Sequence, residues 1–242
     1  MSIVLQSAAR PMTRRFFAAA AVVALTLLAA CGDSEPDQRK AFAAYLQTRI
    51  VDKPGIHVPR PTAEQTKSFG RYAEHYALIT GFNDEMDRAM RGPYKIAQAA
   101  APRTIQDVLA RRNDIQALGE AMTAVEAKMR GTLADVEAKR VSLRQPDDLK
   151  PAFAAAYVRT VTAPAEAFLA TVPPVTDTVR LSLRLADYLD SHRASVKVNG
   201  AMIQTSDAKA QAEVNQMLDA LNAQSQRLNE ARRRLQTVIS GR

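Results

Sequence analysis

Apolar residues return every seven positions through the middle of the chain. Val108, Ile115, Met122, Met129, Val136 and Leu143 form one series, and Leu118 and Val125 fill part of a companion seam. A sustained seven-residue repeat predicts one long helix over 104–143, lying against another in coiled-coil fashion. Towards the end of the chain Val214, Leu221, Leu228 and Leu235 keep the same interval, with Met217, Ala231 and Val238 beside them. The two long helices are expected to be antiparallel neighbours.

Shorter elements fill the rest. A first helix is expected from Gln38 to about Val51, with Phe42, Tyr45, Leu46 and Val51 near one face. Pro54-Gly55, Pro59 and Pro61 mark a loop. Thr62 followed by Gln65 reads as a capping box, in which each side chain satisfies an orphan amide. The helix it opens carries Phe69, Tyr72, Tyr76, Ile79, Phe82 and Met86 and is expected to stop near Arg91-Gly92-Pro93. Pro146 opens a helix from Asp147 to about Thr160. Another follows Thr162-Ala163-Pro164 and is broken by Pro173-Pro174. A further one uses Val179, Leu183, Ala186 and Leu189. Over 196–203 the period changes to two around Asn199-Gly200, which predicts a β-hairpin. Thr205, Ser206 and Asp207 can cap the final helix. The fold class is therefore mainly α: an elongated helical bundle with one small hairpin.

The first thirty residues follow another logic. Arg10, Arg14 and Arg15 precede the uncharged apolar run Phe16–Ala30, which ends in Leu28-Ala29-Ala30-Cys31 before the polar string from Gly32 to Asp37. Basic region, apolar run and small-residue cut site form a secretory signal. The run has 15 residues. A membrane span needs about 20, so an uncleaved anchor is the weaker alternative. Leu28-Ala29-Ala30-Cys31 looks like the bacterial lipobox at all four positions: the peptidase has room only for small side chains beside the cut, and the cysteine thiol takes a diacylglycerol in thioether linkage. Cys31 is the only cysteine. It can form no internal disulfide, and lipidation would remove a free thiol from an oxidising compartment. The organisation expected is a lipoprotein signal peptide over 1–30, the lipidated cysteine and a polar tether over 31–37, and one helical domain over 38–242. Arg14-Arg15 leaves both the general secretory and the twin-arginine routes open, and Met12 is an alternative start to Met1. Gly32 rather than Asp after the cysteine directs the expectation to the outer membrane, although Asp33 follows one place later.

Composition adds less. Trp is absent and aromatic residues make up 5% of the chain, which favours helix over sheet. The net charge is +8, and +5 remains after the three arginines of the signal are removed. Such an excess suits an anionic membrane surface or envelope polymer, or a simply solvated surface. Export excludes nucleic acid as a partner.

Candidate chemistry is sparse. His57, His75 and His192 have no second His or Cys at metal spacing. His192 sits near a helix end, where a cation complements the dipole. Asp147-Asp148 belongs at a helix start for the same reason. Asp84, Glu85 and Asp87 share a wet face with Arg88 and Arg91, and Arg232-Arg233-Arg234 belongs to a last turn. No catalytic residue, metal or cofactor is expected.

Five landmarks then align in order with a known family. They are Asp37-Gln38-Arg39-Lys40-Ala41-Phe42, Tyr76-Ala77-Leu78-Ile79, Asp147-Asp148-Leu149-Lys150-Pro151, Thr162-Ala163-Pro164-Ala165, and Val198-Asn199-Gly200 leading into Thr205-Ser206. In these the chain resembles the YiaF-type bacterial envelope lipoproteins, a family of unknown function. The resemblance supports lipoprotein status and the hairpin, and it implies no catalytic residue. The functional expectation is a periplasm-facing, non-enzymatic scaffold or binding module. Acyl chains on Cys31 would hold it to the periplasmic leaflet of the outer membrane, and another envelope protein is a candidate partner. A holder of apolar or unfolded cargo in a helical groove is the alternative, and an envelope hydrolase a distant one.

Overall fold

The computed structural model describes residues 34–100, 104–200 and 202–242. Helix α1 (Glu35–Leu46) widens into a π turn (Gln47–Val51). After a loop come α2 (Ala63–Phe69), a 3₁₀ turn (Gly70–Tyr72) and α3 (Ala73–Ala100). Then follow α4 (Ile105–Ala110), α5 (Arg112–Ser142), α6 (Lys150–Tyr157), a second π segment (Val158–Thr162), α7 (Ala163–Leu169) and α8 (Val172–Ser191). The hairpin strands are β1 (Val196–Asn199) and β2 (Met202–Thr205), and α9 (Ala208–Ser240) closes the fold.

The helices pack as a row. α3 lies along α5, α5 along α8, and α8 along α9. The expected pairing of the two longest helices is therefore corrected: α8 stands between them. The reason lies in α8 itself, which carries apolar side chains on two sides. Val179 and Ala186 pack with Val108 and Ile115, while Leu185 and Leu189 pack with Val214 and Met217. A helix apolar on two sides buries both only between two neighbours. At Gly119 of α5 an added Cβ would come within 2.9 Å of Val179 Cγ1, so the bare glycine sets how closely α5 and α8 approach.

The seven-residue seam is core. Val108, Ile115, Met122, Met129 and Val136 are all buried, and Leu143 is partly buried. Its helix is not continuous, because the backbone at Arg111 leaves helical geometry between α4 and α5. In the C-terminal series only Val214 is fully buried, while Leu221, Leu228 and Leu235 are half-buried. α9 packs against α8, α7 and β2.

Several boundaries also differ from expectation. α1 starts at Glu35, so the last three residues of the expected tether, Glu35, Pro36 and Asp37, are helical. α3 continues through Pro93 to Ala100. A proline removes one ladder hydrogen bond, and tertiary packing can carry a helix past it. The predicted helix from Asp147 starts at Lys150, after a turn. Pro173-Pro174 starts a helix and breaks none: both sit in the first turn of α8, where an absent N–H costs nothing. The capping box at Thr62 is present as predicted, with Gln65 N–H donating to Thr62 Oγ1 and Thr62 N–H to Gln65 Oε1. The hairpin is also present, with Val196 opposite Thr205 and Asn199 opposite Met202.

The main core gathers Phe42, Leu46 and Ile50 of α1 and its π turn with Phe69, Tyr72, Ile79 and Phe82. From the other side come Met129, Leu149, Phe153 and Val161. A smaller core joins the hairpin to α8 and α9.

Candidate functional site

Leu28, Ala29, Ala30 and Cys31 lie outside the described residues. The surface nearest to them in sequence is the start of α1. Pro36 begins that helix, and the acidic first turn with Glu35 and Asp37 complements its dipole. Glu35 Oε1 accepts a hydrogen bond from the Tyr72 hydroxyl. Arg39 Nε lies 3.3 Å from Asp148 Oδ2 and ties α1 to the turn before α6. Between α1 and α6 runs a groove of about 550 Å³ lined by Pro36, Arg39, Lys40, Ala43, Gln47 and Asp148 among others.

His75 lies directly beneath this end. It is 7% exposed and meets the rings of Phe42, Tyr72 and Phe153 edge-on. Gln145 Nε2 donates to His75 Nδ1 at 3.2 Å, which leaves the proton of the neutral ring on Nε2. Burial, aided by Arg71 and opposed by Glu74, lowers the His75 pKa. His57 is exposed in the loop. His192 caps α8, stacks on Tyr188 at 4.0 Å, and donates from Nδ1 to the Tyr188 carbonyl.

The acidic groups are dispersed. Asp84 pairs with Arg60 at 2.7 Å, and Glu85 lies between Arg88 and Lys128. Hydrogen bonding from Arg88 holds Glu85 below the usual carboxylate range. Asp147 pairs with Lys150, and its carboxyl is lowered by that bond. Asp147 and Asp148 sit in the turn before α6 and pair with different partners, Lys150 and Arg39. Burial, with Glu137 beside it, pushes the Tyr157 hydroxyl up to about 12. No group of three or more His, Cys, Asp or Glu able to hold a metal occurs among the described residues.

A feature the sequence reading missed is the closure between the far end of α1 and the end of α9. The Ile56 N–H donates to the Ile239 carbonyl at 3.0 Å. Gly55 (φ +69°) and Gly241 (φ +73°) meet backbone to backbone, and a Cβ on either would overlap the other segment. Arg159 fastens the same loop: its guanidinium donates to the carbonyls of Gly55 and Lys53. Lys53 on the loop, beside an exposed Asp52, and Arg227, Arg232, Arg233, Arg234 and Arg242 along the last part of α9 are all exposed, and Arg234 is paired with Glu230. Arg232-Arg233-Arg234 lies before the last turn of α9, not in it.

Among the described residues no helix is long and apolar enough to cross a membrane. A mainly apolar groove lies between α5 and α8. It measures about 760 Å³, and Gly119, Ala124, Ala127, Val179 and Leu183 contribute to its lining.

The fold and this surface define a row-packed helical domain with one hairpin, open grooves, and carboxylates dispersed and mostly paired with basic side chains. The chain belongs to the family described as "Protein of unknown function (DUF3053)", which matches residues 18–236. It is 28% identical over 221 residues to the "Uncharacterized protein YiaF" of Escherichia coli (strain K12), a match covering 90% of this chain and 93% of that relative. The protein of the same name from Shigella flexneri matches equally. No solved structure matches.

Proposed function

We propose that this protein is a lipid-anchored, non-enzymatic scaffold or binding module of the cell envelope, held by acyl chains on Cys31. The observation that carries the reading is an order of residues: the only cysteine closes an uncharged apolar run at Leu28-Ala29-Ala30-Cys31, and α1 begins at Glu35. Only Gly32, Asp33 and Ser34 separate the acylated residue from the folded domain, so the domain rides close to the bilayer. One acyl chain binds marginally, at roughly 0.8 kcal/mol per buried methylene, whereas two or three hold a protein firmly. The membrane is the outer one, on the strength of Gly32. The non-enzymatic part rests on the carboxylates: Asp84, Glu85, Asp147 and Asp148 each face a basic side chain and converge on no common point.

Metabolic labelling with radioactive palmitate tests the anchor. Wild type is expected to label and Cys31→Ser to lose the label and accumulate unprocessed or soluble. Equal labelling of the two overturns the reading. Density-gradient fractionation tests the membrane: recovery only with inner-membrane markers removes the outer-membrane assignment.

A further inference from the structure

We infer that the corner where α9 meets the loop after α1 is a second membrane contact, binding the anionic phospholipid headgroups of the bilayer that holds Cys31. The inference rests on the lipid-anchor reading. Four facts carry it. The last part of α9 is basic: Arg227, Arg232, Arg233, Arg234 and Arg242 face solvent with Glu230 as the one carboxylate between them. Lys53 is exposed beside them on the loop that α9 closes. Two of the four exposed large apolar side chains among the described residues flank that same loop: Ile239 is 46% exposed and Val158 is 53% exposed. Val158 precedes Arg159, whose guanidinium holds the loop carbonyls, and the Ile239 carbonyl accepts from Ile56. Basic side chains beside exposed aliphatic ones match an interfacial membrane contact, where the cations meet headgroups and the aliphatics enter the acyl boundary.

The fourth fact is placement. α1 and its π turn run from Glu35 to Val51 and lead directly into the loop of Lys53 and Gly55. At 1.5 Å per residue that rod is about 25 Å long. One end lies three residues from the acylated cysteine, and the other carries the basic corner. Laid along the bilayer, the rod brings both ends to headgroup level. Its outward positions Pro36, Asp37, Lys40, Ala44, Gln47, Thr48 and Arg49 are exposed, so no packed element blocks that orientation. The hairpin belongs to the other core, with the first half of α9, and stands away from the surface.

The test uses the lipidated full chain in vesicles. Because Cys31 is the only native cysteine and is acylated, a fluorophore placed by Gln236→Cys or by Met202→Cys reports one site each. In vesicles of phosphatidylglycerol and phosphatidylethanolamine carrying a headgroup quencher, the Gln236 label is expected to be quenched severalfold more than the hairpin label. In phosphatidylcholine alone, or at high salt, the difference is expected to vanish, because the attraction is screened. Arg232→Ser, Arg233→Ser and Arg234→Ser together are expected to abolish the quenching difference while the protein still floats with the vesicles. Equal quenching of both labels in anionic vesicles, with the protein floating, overturns the inference and leaves the anchor standing. Failure of the wild type to float overturns the anchor and the inference together. Quenching that survives both salt and the triple substitution assigns the contact to the acyl chains alone and also overturns it.

Discussion

Asn83 on α3 supplies the hydrogen bond that Pro164 on α7 cannot. Four residues before Pro164, the carbonyl of Thr160 cannot accept the usual i+4 hydrogen bond, because proline has no N–H. Asn83 Nδ2 donates to it at 3.1 Å, as well as to the carbonyl of its own Ile79 at 2.8 Å. The chain widens into its π segment there, and Thr160 itself is fully buried. Asn83→Ala is expected to destabilise by about 1–3 kcal/mol, the cost of a buried polar group left unpaired. The paired test is Pro164→Ala, which restores the donor. In that background the Asn83→Ala penalty in urea melts is expected to shrink, and an unchanged penalty refutes the compensation.

Gly55→Ala is expected to be costly in a way that Gly200→Ala is not. Both glycines have positive φ, but nothing lies near an added Cβ at Gly200, whereas at Gly55 it would overlap the Ile239 carbonyl. The left-handed conformation alone costs roughly 1–2 kcal/mol for a residue with a Cβ. Gly55→Ala is expected to exceed that and to free the end of α9, visible as faster hydrogen exchange at 236–240. Equal melts for the two variants would show that the closure carries no stability.

The buried His75 makes stability depend on pH. Its pKa is lowered from 6.5 in the fold, first by burial, so the unfolded chain binds the proton more readily. The contribution is therefore complete above the unfolded value and is lost as pH falls through it towards the folded one. Denaturant melts are expected to weaken from pH 7.5 to 5.5, and His75→Phe to flatten that slope. Matching slopes for wild type and variant exclude His75 as the source.

The two seven-residue stripes are expected to differ in weight. Met129 is 1% exposed at the α3–α5 contact, whereas Leu228 is half-buried on α9. Met129→Ala is expected to cost about 2–5 kcal/mol, the range for truncating a buried side chain. Leu228→Ala is expected to cost about 1 kcal/mol or less, in proportion to the area it covers. Thermal melts that rank them the other way would relocate the core.

The periodicity made the elements legible but not their neighbours. The series from Val108 to Val136 identifies a buried seam, and Asn199-Gly200 identifies the hairpin, because each depends on local spacing alone. Which helix covers a seam depends on the others. The Val179, Leu183, Ala186 and Leu189 face of α8 was readable, but Leu185 adds a second apolar side, and that side places α8 between the two long helices. Proline misled twice, at Pro93 and at Pro173-Pro174, since its meaning depends on whether it falls in a first turn or inside a packed helix. Nothing local marked Gly55 and Gly241 as partners, because a glycine answering a glycine across the whole domain leaves no spacing to count.

That closure orders events in time. The loop at Gly55 emerges early in synthesis, and the backbone it must meet is made only with the last turn of α9. A chain that grows from its N-terminus can form the hairpin and much of the α3–α5 contact while the seat at Gly55 still stands open. Seating Ile239 and Gly241 against Gly55 joins segments far apart in the sequence, and it completes the basic corner. A variant lacking residues 239–242 is expected to keep its helices and lose the closure at Gly55.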